Sequence, residues 1–192
     1  MSDTIKVYDK MVEQYVAIAE ELPTTLRSFI QGLRPKSRVL DLGCGPGHHA
    51  RMMAELGHDV LAVDASSEMI RYAQKQPGVT ARQARFDDIP DLGTFDGVWA
   101  SFSLLHASRA DLPRHVSDIF GICAKGAIFS ISLKLGKGEA IDKLGRFYSY
   151  YSQDELLMYL TKAGFSVGNI ETGEDVGMAG HIEPWIGIEA HA

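Results

Sequence analysis

At 192 residues, with 45% apolar and 23% charged side chains, the chain has the composition of one globular domain with a sizeable core. A net charge of −6 argues against a broad electrostatic grip on nucleic acid or on an anionic membrane. The polar start Met1-Ser2-Asp3-Thr4, the lack of any apolar run of membrane-spanning length and only two cysteines point to a reduced, cytoplasmic protein without a disulfide framework.

Met11, Tyr15, Ile18 and Leu22 recur at helical spacing, which predicts a helix over 8–21; a second, Thr25 to Leu33, follows Pro23. These form an N-terminal helical cap, 5–34. A strand over 38–42 then runs into three glycines at alternate positions, Gly43, Gly45 and Gly47. Glycine turns at positive φ and lets a ligand approach the backbone. A helix, 47–57, follows at once, so strand, tight turn and helix N-terminus make a nucleotide-type site. The next elements are a strand at 59–63, a helix at 67–76, strands at 80–85 and 96–101, a helix at 110–123 and a strand at 126–133. Ser152 and Glu155 make a capping box that opens a helix over 153–163, which Gly164 stops. Apolar runs at 165–171 and 184–190 read as a closing antiparallel pair. Strands alternating with helices imply a doubly wound α/β domain with a mostly parallel sheet and helices on both faces. Its ligands bind beyond the carboxyl ends of the strands, where Asp41, Asp64, Arg85, Ser101 and Lys134 fall. No repeat or linker divides the chain, so 1–192 is read as a single domain.

Two carboxylates narrow the ligand. Asp41 ends the first strand beside the turn, where it would repel a pyrophosphate and attract an ammonium or sulfonium. Asp64 ends the second strand 21 residues past Gly43, the place of an acid that holds ribose hydroxyls. An adenosine ribose joined to a cationic, phosphate-free group describes S-adenosylmethionine. With Val39-Leu40-Asp41-Leu42-Gly43-Cys44-Gly45-Pro46-Gly47, then Val60 to Ser66, Phe95 to Ser101 and Leu104-Leu105-His106, the chain resembles class I S-adenosylmethionine-dependent methyltransferases over roughly residues 8–190. The resemblance implies the Rossmann-like methyltransferase fold, a seven-stranded sheet with an antiparallel C-terminal hairpin. It also implies methyl transfer by in-line displacement to a small-molecule acceptor, and a cofactor site of Asp41, Gly43, Cys44, Gly45, Asp64, Ala65, Ser66 and Ser101. Ser66 doubles as a candidate N-cap of the following helix. The family's adenine-binding aspartate aligns with Arg85, which cannot accept a hydrogen bond. That leaves Asp87, the backbone at Phe86, or an apolar contact.

His106, five residues past the fourth strand, is the candidate general base; as a structural residue it would merely orient its loop. His48 and His49 open the helix after the turn. Adjacent helical residues point apart and no third ligand accompanies them, so they make no metal site, although one of them suits the cofactor pocket wall. The connection 134–151, too long for a minimal link, reads as a substrate-side insertion. Its Lys134, Arg146, Tyr148 and Tyr150 suit an anionic or aromatic acceptor, with Tyr148 a second catalytic candidate; the plainer reading is tyrosines packed on the N-terminal helices. Lys-Leu-Gly followed by Gly-Arg-Phe-Tyr-Ser-Tyr is similar to a bacterial subgroup of small methyltransferases akin to the tellurite-resistance type. No Asn/Asp-Pro-Pro-aromatic run follows the fourth strand, so a nucleic-acid substrate is not expected. A monomer or homodimer is. A non-catalytic cofactor-binding protein and an NAD-linked oxidoreductase are the competing readings.

Overall fold

The structure, a computed structural model, describes residues 2–17, 23–177 and 180–192. Helices α1 (Ser2–Val16) and α2 (Thr24–Gly32) come first. The alternation β1 (Arg38–Leu42), α3 (His48–Glu55), β2 (Asp59–Asp64), α4 (Ser67–Ala73), β3 (Val79–Gln83), β4 (Phe95–Ser101), α5 (Leu112–Ile122) and β5 (Cys123–Lys134) follows. A small hairpin, β6 (Glu139–Ile141) and β7 (Phe147–Ser149), precedes α6 (Gln153–Ala163), β8 (Ser166–Val176) and β9 (Ile182–His191).

Successive side chains of a strand point to opposite faces, and here both faces are apolar. Val39, Val60 and Trp99 pack in one cluster with Leu26 and Phe29 of α2 and Met53 of α3. Leu40, Leu42 and Val98 pack in the other with Val116 and Ile119 of α5 and Leu156 and Leu160 of α6. Strands buried on both sides need helices on both sides, which is why the sheet is doubly wound. Its strand order is β3-β2-β1-β4-β5-β9-β8. Pairings among β1 to β5 are parallel, and β9 runs antiparallel to both β5 and β8. This is the seven-stranded, mostly parallel sheet with a C-terminal antiparallel hairpin that the sequence predicts. No helix among the described residues is long and apolar enough to cross a membrane.

The boundaries differ in instructive places. The first helix starts at Ser2 and ends at Val16, five residues short of the expected end at 21; Ile18, Glu21 and Leu22 lie outside the described residues. The third strand stops at Gln83 because Arg85 to Asp91 turn into a short 3-10 segment, where the Asp88 carboxylate accepts the Arg85 backbone N–H at 2.7 Å. Cys123 opens β5 rather than closing a helix. The capping box of Ser152 and Glu155 is present, and Gly164 at φ 112° ends α6.

Strand β4, which delivers the central residues of the site, is pressed closely by α2. A Cβ on Gly97 would fall 2.6 Å from Leu33 Cδ2 and 2.9 Å from Phe29 Cζ. Gly97→Val is expected to destabilise the protein by about 1–3 kcal/mol through overpacking, seen as a lower urea midpoint with an unchanged slope.

Candidate functional site

The tips of β1 and β2 are locked together by the glycine turn. The backbone N–H groups of Gly43 and Cys44 both donate to the Val63 carbonyl, at 2.8 and 3.0 Å. Gly43 lies at φ 77°, and a Cβ there would sit 2.2 Å from Ser103 Cβ, so no other residue fits. The Asp64 carboxylate closes the arrangement: Oδ2 accepts from Gly45 N–H at 3.0 Å, and Oδ1 from Ser66 N–H at 2.8 Å. Burial raises the Asp64 pKa, while the donors from Ser66 and Gly45 oppose that shift. Ser66 then caps α4 by accepting from Met69 N–H at 3.1 Å, and its hydroxyl donates to Asp9 of α1 at 2.5 Å.

Asp41 is placed otherwise than its motif suggests. It is 2% exposed, lies behind the turn and is not part of the cavity wall, so a direct contact with a ligand cation is replaced by an influence through the turn. The Ala50 N–H donates to its carboxylate, but Oδ2 has no hydrogen-bond partner in the protein. Burial, with repulsion from Asp64 added, pushes its pKa up to about 8.

In front of the turn opens a cavity of about 510 Å³. The strand order divides it into two halves. Towards β2 and β3 the wall is Cys44, Gly45, Asp64, Ala65 and Ser66, with Arg85 and Phe86 beyond them. Asp87 is absent from it: its carboxylate is held by Arg114 of α5 at 2.7 Å, so the structure removes it from the adenine side. Towards β4, β5 and β9 the wall is Ser101, Phe102, His106, Lys134 and Trp185, with Arg146 and Tyr148 from the insertion. Tyr150 is not in the wall; its ring stacks on Tyr148 with centroids 6.3 Å apart. The two cations are already engaged. Lys134 pairs with Glu183 and lies 4.0 Å above the Tyr148 ring, and Arg146 is bound to Asp142 at 2.6 and 2.9 Å. His48 and His49 both line the cavity. Nδ1 of His49 accepts from Trp99 Nε1–H at 3.2 Å, and burial lowers its pKa to about 4.

The roof is α1, which the sequence presented only as a cap. Thr4, Ile5, Tyr8 and Tyr15 face the cavity. Thr4 Oγ1 accepts from the Phe147 N–H at 3.0 Å, Tyr15 accepts from Arg146 at 2.8 Å, and the Tyr8 hydroxyl lies 2.7 Å from His106 Nε2. On its other side, His106 Nδ1 is 2.6 Å from the Phe147 carbonyl. A carbonyl only accepts, so Nδ1 carries the proton and Nε2 accepts from Tyr8. Burial lowers the His106 pKa to about 4. Phe102, 39% exposed, is held at φ 49°, an uncommon conformation for a bulky residue. Tyr8 and Tyr15 stand one heptad apart, a one-face spacing readable in the sequence; Phe102 and Trp185 carried no such signal.

Residues 39–126 match a family model described as a methyltransferase domain. Malonyl-[acyl-carrier protein] O-methyltransferase of Pectobacterium atrosepticum is 32% identical over 127 residues, 65% of this chain and 47% of the relative. The chain thus spans about half the length of that relative. Among solved structures, TehB from Haemophilus influenzae superposes with a TM-score of 0.75 at 16% identity, over 96% of this chain and 66% of that one. The 1,6-didemethyltoxoflavin-N1-methyltransferase of Burkholderia thailandensis, with bound 1,6-didemethyltoxoflavin and S-adenosylhomocysteine, gives 0.74 at 22% identity, over 99% and 85%. Both share the fold.

The buried Asp41 makes stability depend on pH in a defined direction. Its folded pKa lies above the value of 3.8 it has when unperturbed, so its contribution is complete below about pH 4 and is lost as pH rises through about 8. Asp41→Asn keeps an acceptor for Ala50 N–H and cannot ionise. In urea melts the variant is expected to gain on the parent steadily between pH 5 and pH 8, by about 1 kcal/mol or more at the upper end.

Proposed function

We propose that the chain binds S-adenosylmethionine and transfers its methyl group to a small-molecule acceptor. The observation that carries this reading is Asp64. Two backbone donors fix its carboxylate at the cavity wall, directly beside the glycine turn and at the tip of the second strand. That is where ribose hydroxyls meet an acid in a doubly wound sheet. A Cβ on Gly45 would meet no protein atom within 4 Å, so the space before the turn is free for a ligand. The match to a methyltransferase domain over residues 39–126 supports the same conclusion.

When bound, S-adenosylmethionine supplies an electrophilic methyl carbon. The protein's share is to hold the two reactants in line and to keep water out, an effect on the order of 7–11 kcal/mol in well-oriented reactions. Asp64 and the turn fix one partner, and Phe102, His106, Lys134, Arg146 and Tyr148 surround the place left for the other. In this reading a single methyltransferase unit carries a helical cap within 5–34 and a substrate-side insertion, 134–151. It works in the cytoplasm as a monomer or homodimer, without nucleic acid or membrane as partner.

Titration of the ligands separately tests the reading. At about 100 times Kd, S-adenosylmethionine or S-adenosylhomocysteine should stabilise the protein by about 2.7 kcal/mol, a rise of roughly 5–11 °C in Tm for a domain of this size. NAD should give no shift, and Asp64→Ala should abolish the shift with both sulfur ligands. A shift with NAD alone would return the chain to the dehydrogenases.

A further inference from the structure

Resting on the methyltransferase reading above, we propose that the acceptor is a neutral aromatic hydroxyl compound, and that Tyr8 takes its proton while passing its own to His106. Three observations converge on this. The first is the hydrogen-bond order. His106 donates from Nδ1 to the Phe147 carbonyl and accepts at Nε2 from Tyr8, so its basic nitrogen is covered and reaches a ligand only through the Tyr8 oxygen. That oxygen stands among the hydroxyls of Tyr15 and Tyr148, so it has hydroxyl neighbours to exchange protons with.

The second is the wall. Phe102 and Trp185 stand edge to face with centroids 6.3 Å apart and both line this half of the cavity. Phe102 keeps its ring there at the expense of a left-handed backbone, a conformation uncommon for a bulky residue that persists where the surroundings enforce it. The third is charge. The two cations of this half, Lys134 and Arg146, are matched by Glu183 and Asp142. An anionic acceptor would have to break pairs already made, whereas a neutral, flat one would not.

The step balances. The acceptor oxygen bonds to the methyl carbon as the carbon–sulfur bond breaks, and the electron pair of that bond stays on sulfur. The acceptor proton moves to the Tyr8 oxygen, and the Tyr8 proton moves to Nε2 of His106. One positive charge leaves the sulfonium and one arrives on the imidazole, so the cavity carries the same net charge before and after. That conservation matters beside the buried His106, where an added, unbalanced charge would be costly.

The test uses the intact protein loaded with S-adenosylhomocysteine and the chromogenic probe 4-nitrophenol, with benzoate and benzylamine as anionic and cationic controls. At a pH below the probe's own pKa, calorimetry should show 4-nitrophenol binding in preference to both controls, and its absorbance should stay that of the neutral phenol in the bound state. Tyr8→Phe keeps the ring and should weaken the phenol at least tenfold, with S-adenosylhomocysteine affinity unchanged. Phe102→Gly relieves the backbone and should likewise lose the phenol while keeping the cofactor product. Failure of 4-nitrophenol to bind, equal or tighter binding of benzoate or benzylamine, or a Tyr8→Phe variant that binds the phenol normally would overturn the proposal and leave the methyltransferase reading standing. A loss of S-adenosylhomocysteine affinity in Tyr8→Phe would assign Tyr8 to the cofactor and overturn it too. Failure of the parent protein to bind S-adenosylhomocysteine would instead remove the methyltransferase reading, and this proposal with it.

Discussion

One carboxylate organises the site. Asp64 ends β2, yet its two oxygens are spent on backbone donors from two other segments, Gly45 of the turn after β1 and Ser66 at the start of α4. The turn therefore has a fixed shape, and α4 a fixed starting point. Because Ser66 in turn holds Asp9, the same chain of contacts reaches the roof helix. Burying a carboxylate is costly unless donors surround it, and here those donors are the groups that shape a ligand site. The structural use of this residue and the ribose contact proposed for it are not separable.

The roof is built differently from the floor. Strand tips and the glycine turn are joined by backbone hydrogen bonds, which any sequence of suitable pattern can make. Helix α1 is attached by side chains: Thr4 to the Phe147 N–H, Tyr8 to His106, Asp9 to Ser66, Glu13 to Tyr72 and Tyr15 to Arg146. Each contact spans a long stretch of chain, and those of Tyr8, Asp9 and Tyr15 end on residues of the cavity wall. The result is a cover whose inner surface is phenolic, set against a floor of glycine and carboxylate.

The floor was therefore the legible part. A two-sided apolar strand, alternate glycines and an acid at each strand tip are local signals, and they specify the doubly wound, mostly parallel sheet, the turn and the acid at the second strand's tip from the sequence. The helix boundaries around Val16 and the 3-10 turn after β3 were not legible, because both depend on partners elsewhere. Nor was the fate of Asp87, which a propensity argument cannot tie to Arg114 on α5. Lys134 and Arg146 read as available cations because nothing local announced Glu183 or Asp142 as their mates. Asp41 shows a limit of another kind: its position in the strand was clear, but its withdrawal behind the turn follows from the pleat, which sends it to the α3 side with Val39. His106, the candidate base, lies in the cavity wall, while the tyrosine that covers it sits 98 residues away in sequence.

The attachment of the roof also has a consequence for biogenesis. Helix α1 leaves the ribosome well before the segments it docks on, the latest of which, Arg146 and Phe147, lie beyond β6. A solitary helix of 15 residues is marginal in water, so the segment emerges without anything to hold it. Synthesis separates this helix from its docking site, and a nascent chain passes through a stage in which β1 to β5 have been made but the chamber above them has no ceiling.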